Sequence, residues 1–123
     1  MLLQQIPHQQ WPAFFDSFSR QHRGWLVSLE LINAGGAQAL ARDLALEGID
    51  VDMKSGGEDR ISIVLTNPPA EHFSNTITAP TRVTLKKTEE GAHEALQIES
   101  ASGPTTVLRF RSAMLPEMVD DIA

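Results

Sequence analysis

The segment at residues 95–111, ALQIESASGPTTVLRFR, constrains the fold more tightly than any other part of the chain. Leu96 and Ile98 alternate with Gln97 and Glu99. Thr106, Leu108 and Phe110 alternate with Val107, Arg109 and Arg111. A period of two over runs this short is the pattern of β-strands with one buried face. Between the runs, Ser100, Ala101, Ser102, Gly103 and Pro104 supply turn chemistry. The two runs therefore form a hairpin. Directly opposed residues of an antiparallel pair share a face, so paired positions must sum to an even number for Ile98 to face the same way as Thr106 or Leu108. The loop then holds an odd number of residues or carries a bulge. The expected register sets Glu99 beside Val107 and diagonal to Arg109, an exposed ion pair worth about 0–1 kcal/mol.

The rest of the chain reads as one helix followed by more strands. Residues 3–7 form an extended lead-in, with Pro7 opposing helix before it. Trp11, Phe14, Phe15 and Phe18 then recur at helical spacing. Pro12 fits only in a first turn, Arg20, His22 and Arg23 suit the negative end of the helix dipole, and Gly24 is a stop. The aromatic stripe reads as the face that covers a sheet. Residues 25–33 alternate strongly, and apolar residues on both faces predict a central strand. Ala34, Gly35 and Gly36 end it. Ala37, Leu40, Ala41 and Leu44 have helical spacing, which predicts a short helix over residues 37–43 and then an extended strand; the alternative is that Leu44 and Leu46 lead, through a bulge at Gly48, into the alternating Ile49, Val51 and Met53. Residues 49–54 and 60–66 form a second hairpin about a turn at residues 55–59, stopped by Asn67, Pro68, Pro69 and Ala70. Residues 72–80 are polar and irregular, with a short edge piece around Ile77. Residues 81–87 form a strand, and residues 114–123 a short terminal helix begun at Pro116.

The expected fold class is α+β. It is a mostly antiparallel, strongly curved sheet or partly closed small barrel of five or six strands, with the N-terminal amphipathic helix packed on it; a two-layer open sheet is the alternative. The 123 residues form a single expected domain, a size that buries about two-thirds of the unfolded surface without needing a disulfide or metal. There is no cysteine, which removes thiolate nucleophiles and thiolate metal sites. No segment has the pattern of a signal peptide or a membrane span, so a cytoplasmic protein with no membrane contact is expected. The formal charge is −6, from 16 acidic and 10 basic residues with no basic run, which argues against nucleic acid as a partner. Arg82, Lys86, Lys87, Arg109 and Arg111 can form a basic strip only if their strands are neighbours.

Enzyme chemistry has little to stand on. None of His8, His22, His72 and His93 sits in a zinc-binding spacing, and neither glycine pair has a phosphate-loop context. Asp50 and Asp52 with Glu58 and Asp59 lack the calcium-loop pattern. No serine lies in a nucleophile elbow, and no cofactor is expected. His72 is the strongest candidate. It lies among Ser74, Asn75, Thr76 and Thr78 in a polar segment, where Glu71 could orient it as a general base. Without a nucleophile or an oxyanion donor, that site is incomplete.

The helix WPAFFDSFSRQHRGW, the strand LVSLEL, the runs GIDVD and ISIVL, the piece HFSNTITAP, and the signature ALQIES…G…LRFR together resemble a small family of uncharacterised bacterial proteins, a domain of unknown function. The resemblance covers most of residues 6–111 and implies a bacterial cytosolic protein, with no activity or catalytic residues attached to it.

The expected function is therefore a non-enzymatic module that binds a protein partner or itself. His72, Thr76, Glu99, Arg109 and Arg111 are its candidate contact residues. Homodimerisation through an edge strand is one form of this reading. The alternative is a small-ligand-binding domain or enzyme with a pocket near His72, lined also by Trp25 and the phenylalanines.

Overall fold

A computed structural model describes residues 2–53, 59–67, 71–101 and 103–114. In chain order the elements are β1 (Leu2–Ile6), a 3-10 turn at His8–Gln10, α1 (Trp11–His22), β2 (Leu26–Asn33), β3 (Gly36–Asp52), β4 (Arg60–Asn67), β5 (Glu71–Thr78), β6 (Pro80–Lys87), β7 (His93–Ser100) and β8 (Thr105–Met114). The strands form one eight-stranded antiparallel sheet in the order β1-β6-β7-β8-β2-β3-β4-β5. The class is α+β, as the sequence predicts. The count of five or six strands falls short, and the sheet is not a closed barrel, because β1 and β5 each have a single neighbour.

The organising hairpin obeys its parity rule. Leu96 pairs with Leu108, Gln97 with Val107 and Ile98 with Thr106, all with an even sum. Glu99 therefore lies two residues beyond Val107's partner, and the expected Glu99–Arg109 pair does not form. Val107 is buried on the outer face, flanked by Gln97 and Glu30. β2 is central, between β8 and β3.

The expected helix over residues 37–43 is instead the first part of β3. Asn33 pairs with Gly36 and Leu31 with Gln38, across a two-residue turn whose Gly35 N–H is held by Asn33 Oδ1 at 2.8 Å. Two register shifts follow on either side of Leu29, and Asp43 takes a φ of 52°. These bulges interrupt the period of two, so the apolar residues Leu40, Ala41 and Leu44 fall at a spacing that imitates a helix. Pairing with a central strand outweighs the helical preference of alanine and leucine. The alternative reading, a strand bulged at Gly48, is the one the structure has, with the bulge between Leu46 and Gly48. Residues 72–80 are also more regular than expected: β5 pairs with β4 in unbroken register from Glu71 to Thr78. It is an edge strand, as the Ile77 piece was expected to be. The turn at residues 55–58, the stop at residues 68–70 and the terminal helix beyond residue 114 lie outside the described residues.

β5 runs into β6 through Ala79 alone, yet the two strands stand six places apart in the sheet. Six spacings of a flat sheet span about 29 Å, whereas one intervening residue bridges about 7 Å. The sheet must therefore curl. Its corner is fixed by hydrogen bonds from Ala79 N to Asp59 O, from Ala101 N to Ala79 O (both 3.0 Å) and from Ser100 Oγ to Thr78 O (2.9 Å).

α1 fills the concave face. Trp11, Phe15, Phe18 and His22 are its buried stripe, and Pro12 sits in its first turn. Trp11 Nε1 donates to Ile6 O at 3.0 Å. The opposing sheet residues include Val27, Leu29, Leu46, Ile63, Leu96 and Leu108, all essentially inaccessible to solvent. Gly24, at φ +90°, turns the chain from the helix into β2, and its N–H donates to Leu46 O at 2.8 Å.

Ala79 turns the corner with a φ of 55°, a conformation that strains an L-residue. In urea unfolding, Ala79→Gly is expected to leave stability unchanged or raise it by up to about 1 kcal/mol, as relief of strain outweighs the added freedom of the unfolded chain. Ala79→Val is expected to lower it by more than about 1 kcal/mol, because a β-branched residue tolerates this region worst.

Candidate functional site

The sequence-predicted site residues fall into two groups. His72 and Thr76 lie on β5, while Glu99 lies on β7 and Arg109 and Arg111 on β8. β8 and β5 are four strand spacings apart, about 19 Å along the sheet. Glu99 pairs with Arg82 of β6 at 3.8 Å, and Arg109 Nε donates to Glu30 of β2. Both ion pairs are exposed, and two cations of the expected basic strip are neutralised by them. Arg111 is exposed.

His72 meets Glu47: Nδ1 lies 3.1 Å from Glu47 Oε2, while the side chain of Glu71, its expected partner, lies outside the described residues. Glu47 is the extra residue of the β3 bulge and also lines a cleft of about 450 Å³ between α1 and β3. Phe15, Ile49 and Val51 supply apolar surface there, and Asp16, Arg20, Arg23 and Asp50 charged surface. Ser19 is the one hydroxyl among its lining residues, and it is committed to structure. Its Oγ accepts from Ile49 N at 2.8 Å and donates to Ile49 O at 3.3 Å, pinning the helix to the bulged strand. Among the described residues lining this cleft, no free hydroxyl is left for His72 to activate. Trp25, His72 and the phenylalanines, expected to line one pocket, are not brought together: Phe15 and Phe18 are packed in the core while His72 stands on the solvent-exposed side of β5.

The edge of β5 is a different kind of site. Ala79 N–H points back across the ladder to Asp59, whereas Thr78 C=O points away from β4 to Ser100. Antiparallel strands alternate between these two directions. The N–H and C=O groups of His72, Ser74 and Thr76 therefore point to the free edge. Phe73 and Ile77 face the core. Thr76 Oγ1 meets Ser62 Oγ at 3.2 Å on the outer face.

Sequence reasoning missed the pairing of His22 with His93. His22 is completely buried and His93 is 7% exposed, with their Nε2 and Nδ1 atoms 2.9 Å apart. Phe18 O can only accept, so His22 Nδ1, 2.8 Å away, carries a proton. Neutral His22 then accepts at Nε2, and His93 Nδ1 donates to it. Phe18, Trp25 and Phe110 surround the pair. The one available signal was His22, four residues after Phe18 on the buried face of the helix; nothing local pointed to His93. Burial pushes both imidazoles below the usual histidine value, His93 to about 4, with the charges of His22 and Lys87 adding to the effect. Two ligands are too few for a metal site, and among the described residues no group of three or more histidine, aspartate or glutamate side chains is placed to hold one.

Because the folded state resists protonation here, the unfolded chain binds more protons between about pH 6.5 and pH 4, and folding stability falls as the pH drops through that window. His93 alone is expected to cost about 2 kcal/mol at pH 5 relative to pH 7. The check is urea unfolding at both pH values beside the His22→Leu/His93→Leu double variant, in which this share of the acid sensitivity disappears.

No helix among the described residues is long and apolar enough to cross a membrane. Neither the curated proteins nor the solved structures contain a match to the chain. The profile of one sequence family matches residues 2–118, nearly the whole chain, and on that match the chain belongs to the family of unknown function DUF5335.

Proposed function

We propose that this chain is a non-enzymatic protein-binding module of the cytoplasm that takes its partner by strand addition at β5. The observation that carries this reading is a sheet edge that no other strand covers among the described residues. Natural sheets blunt their edges with short strands, bulges, lysines or prolines. β1 is five residues long and is followed by Pro7. The part of β3 that runs beyond β4 is bulged and carries Arg42. β5 has eight residues, continuous register, and neither lysine nor proline. Its outward N–H and C=O groups are a template for another strand. A chain without cysteine suits a reducing compartment.

A second reading, binding of a small molecule, is favoured by the α1–β3 cleft, whose volume lies in the range of ligand sites. It has less support, since the cleft's hydroxyl is consumed in structure and the neighbouring His72–Glu47 pair is solvent-exposed.

Native mass spectrometry of gently purified protein tests the first reading against Ser74→Pro. Proline at Ser74 removes an outward N–H and leaves the β4 ladder intact. The expected outcome is a bound polypeptide on the natural chain and at least tenfold less on the variant. Equal loading of both, or a bare natural chain, refutes β5 as the binding edge, and an added small mass on both favours the cleft.

A further inference from the structure

The partner at β5 has a chemistry of its own, and the inference about it rests on the strand-addition reading above. Beside the C-terminal half of β5 runs a groove of about 260 Å³. Four successive residues of the strand line it, Asn75 to Thr78. Successive residues of a strand point to opposite faces, so a cavity touching all four lies against the strand's edge rather than on either face. Its far wall is Leu31 and Thr106, paired with each other on β2 and β8, together with Gly103 and Pro104 of the β7–β8 turn. Ser100 Oγ, bonded to Thr78 O, closes one end.

Two properties of this groove select its occupant. The first is charge. None of the described residues lining it is charged, although the chain as a whole carries −6. A charged side chain placed here finds no counter-ion and loses water. The second is the facing wall: Leu31, Thr106, Gly103 and Pro104 bound the groove opposite the strand's edge, so an occupant lies between two parts of this chain. We infer that the groove takes a single extended, uncharged peptide segment of a partner protein. The segment pairs with the outward N–H and C=O groups of Ser74 and Thr76 and sets a small apolar side chain between Ile77 and Leu31. A second copy of this chain, presenting its own β5, is the competing occupant that the test separates.

The test uses acetylated, amidated seven-residue peptides of alternating serine and valine, with glutamate in place of valine as the comparison. Amide hydrogen exchange at Ser74 and Thr76 reports strand addition directly. Binding affinity is measured on the natural chain, on Thr76→Pro and on Gly103→Glu. A Cβ at Gly103 meets only Ser100 Oγ, at 3.7 Å, so the glutamate enters the groove wall without strain.

The expected result is that the valine peptide protects both amides and binds about tenfold or more tighter than the glutamate peptide, and that each variant weakens it by about tenfold. If both peptides bind equally and Thr76→Pro weakens both, strand addition stands and the apolar selection is overturned. If binding leaves the Ser74 and Thr76 amides unprotected, or Thr76→Pro has no effect, β5 is not the docking edge and both readings fail. If neither peptide binds while the chain dimerises with those amides protected, the occupant is a second copy and the inference fails. If neither binds and the chain stays monomeric, both readings fail.

Discussion

A single residue, Ala79, joins two strands that a flat sheet would hold far apart, and most of the architecture follows from that constraint. The sheet has to bend until β5 and β6 meet at one corner. Bending creates a concave face lined with aliphatic side chains. Left open to water, such a face is a large exposed apolar surface, which a folded chain does not tolerate. The aromatic stripe of α1 covers it, and the helix is fastened at intervals: Trp11 to Ile6, Ser19 to Ile49, and His22 to His93. The sheet thus has one face filled by its own helix and two edges that the curl does not seal.

The elements legible in the sequence were those whose periodicity is set by one buried face. The register of the 95–111 hairpin, the start and end of α1, the central position of β2 and the bulge at Gly48 all follow from local pattern. The failures have a common cause. At residues 37–43 the bulges around Leu29 and Asp43 shift alternate residues out of phase, so a strand carried the spacing of a helix. At residues 72–78 only Phe73 and Ile77 are apolar and the other side chains are polar, as suits a strand at an edge, and such low apolar content reads as irregularity. Neither the bulges nor the edge position is encoded locally; each depends on which strand arrives alongside.

The same reason explains what was legible of the candidate site. That Arg109 and Arg111 share a strand is revealed by alternation alone, whereas His72 and Thr76 share one that the sequence reads as an irregular segment. That Glu30 rather than Glu99 neutralises Arg109, or that Glu47 faces His72, depends on strand order. The histidine pair belongs to the same category, since its members are 71 residues apart in the chain. Neutral, mutually bonded imidazoles within an aromatic cage provide structural fastening.

The strand order also sets a timetable for folding. Leu2 is paired with Lys87, and Val27 with Phe110, so β1 and one side of β2 must wait for strands made much later in the chain. The hairpins β2–β3, β3–β4, β4–β5, β6–β7 and β7–β8 can each zip locally, but joining the two halves of the sheet closes long loops at an entropic cost. Until β8 arrives, the most apolar strand of the molecule has an unpaired side. The central position that lets β2 join the two halves of the finished sheet also leaves it open on one side for most of the chain's synthesis.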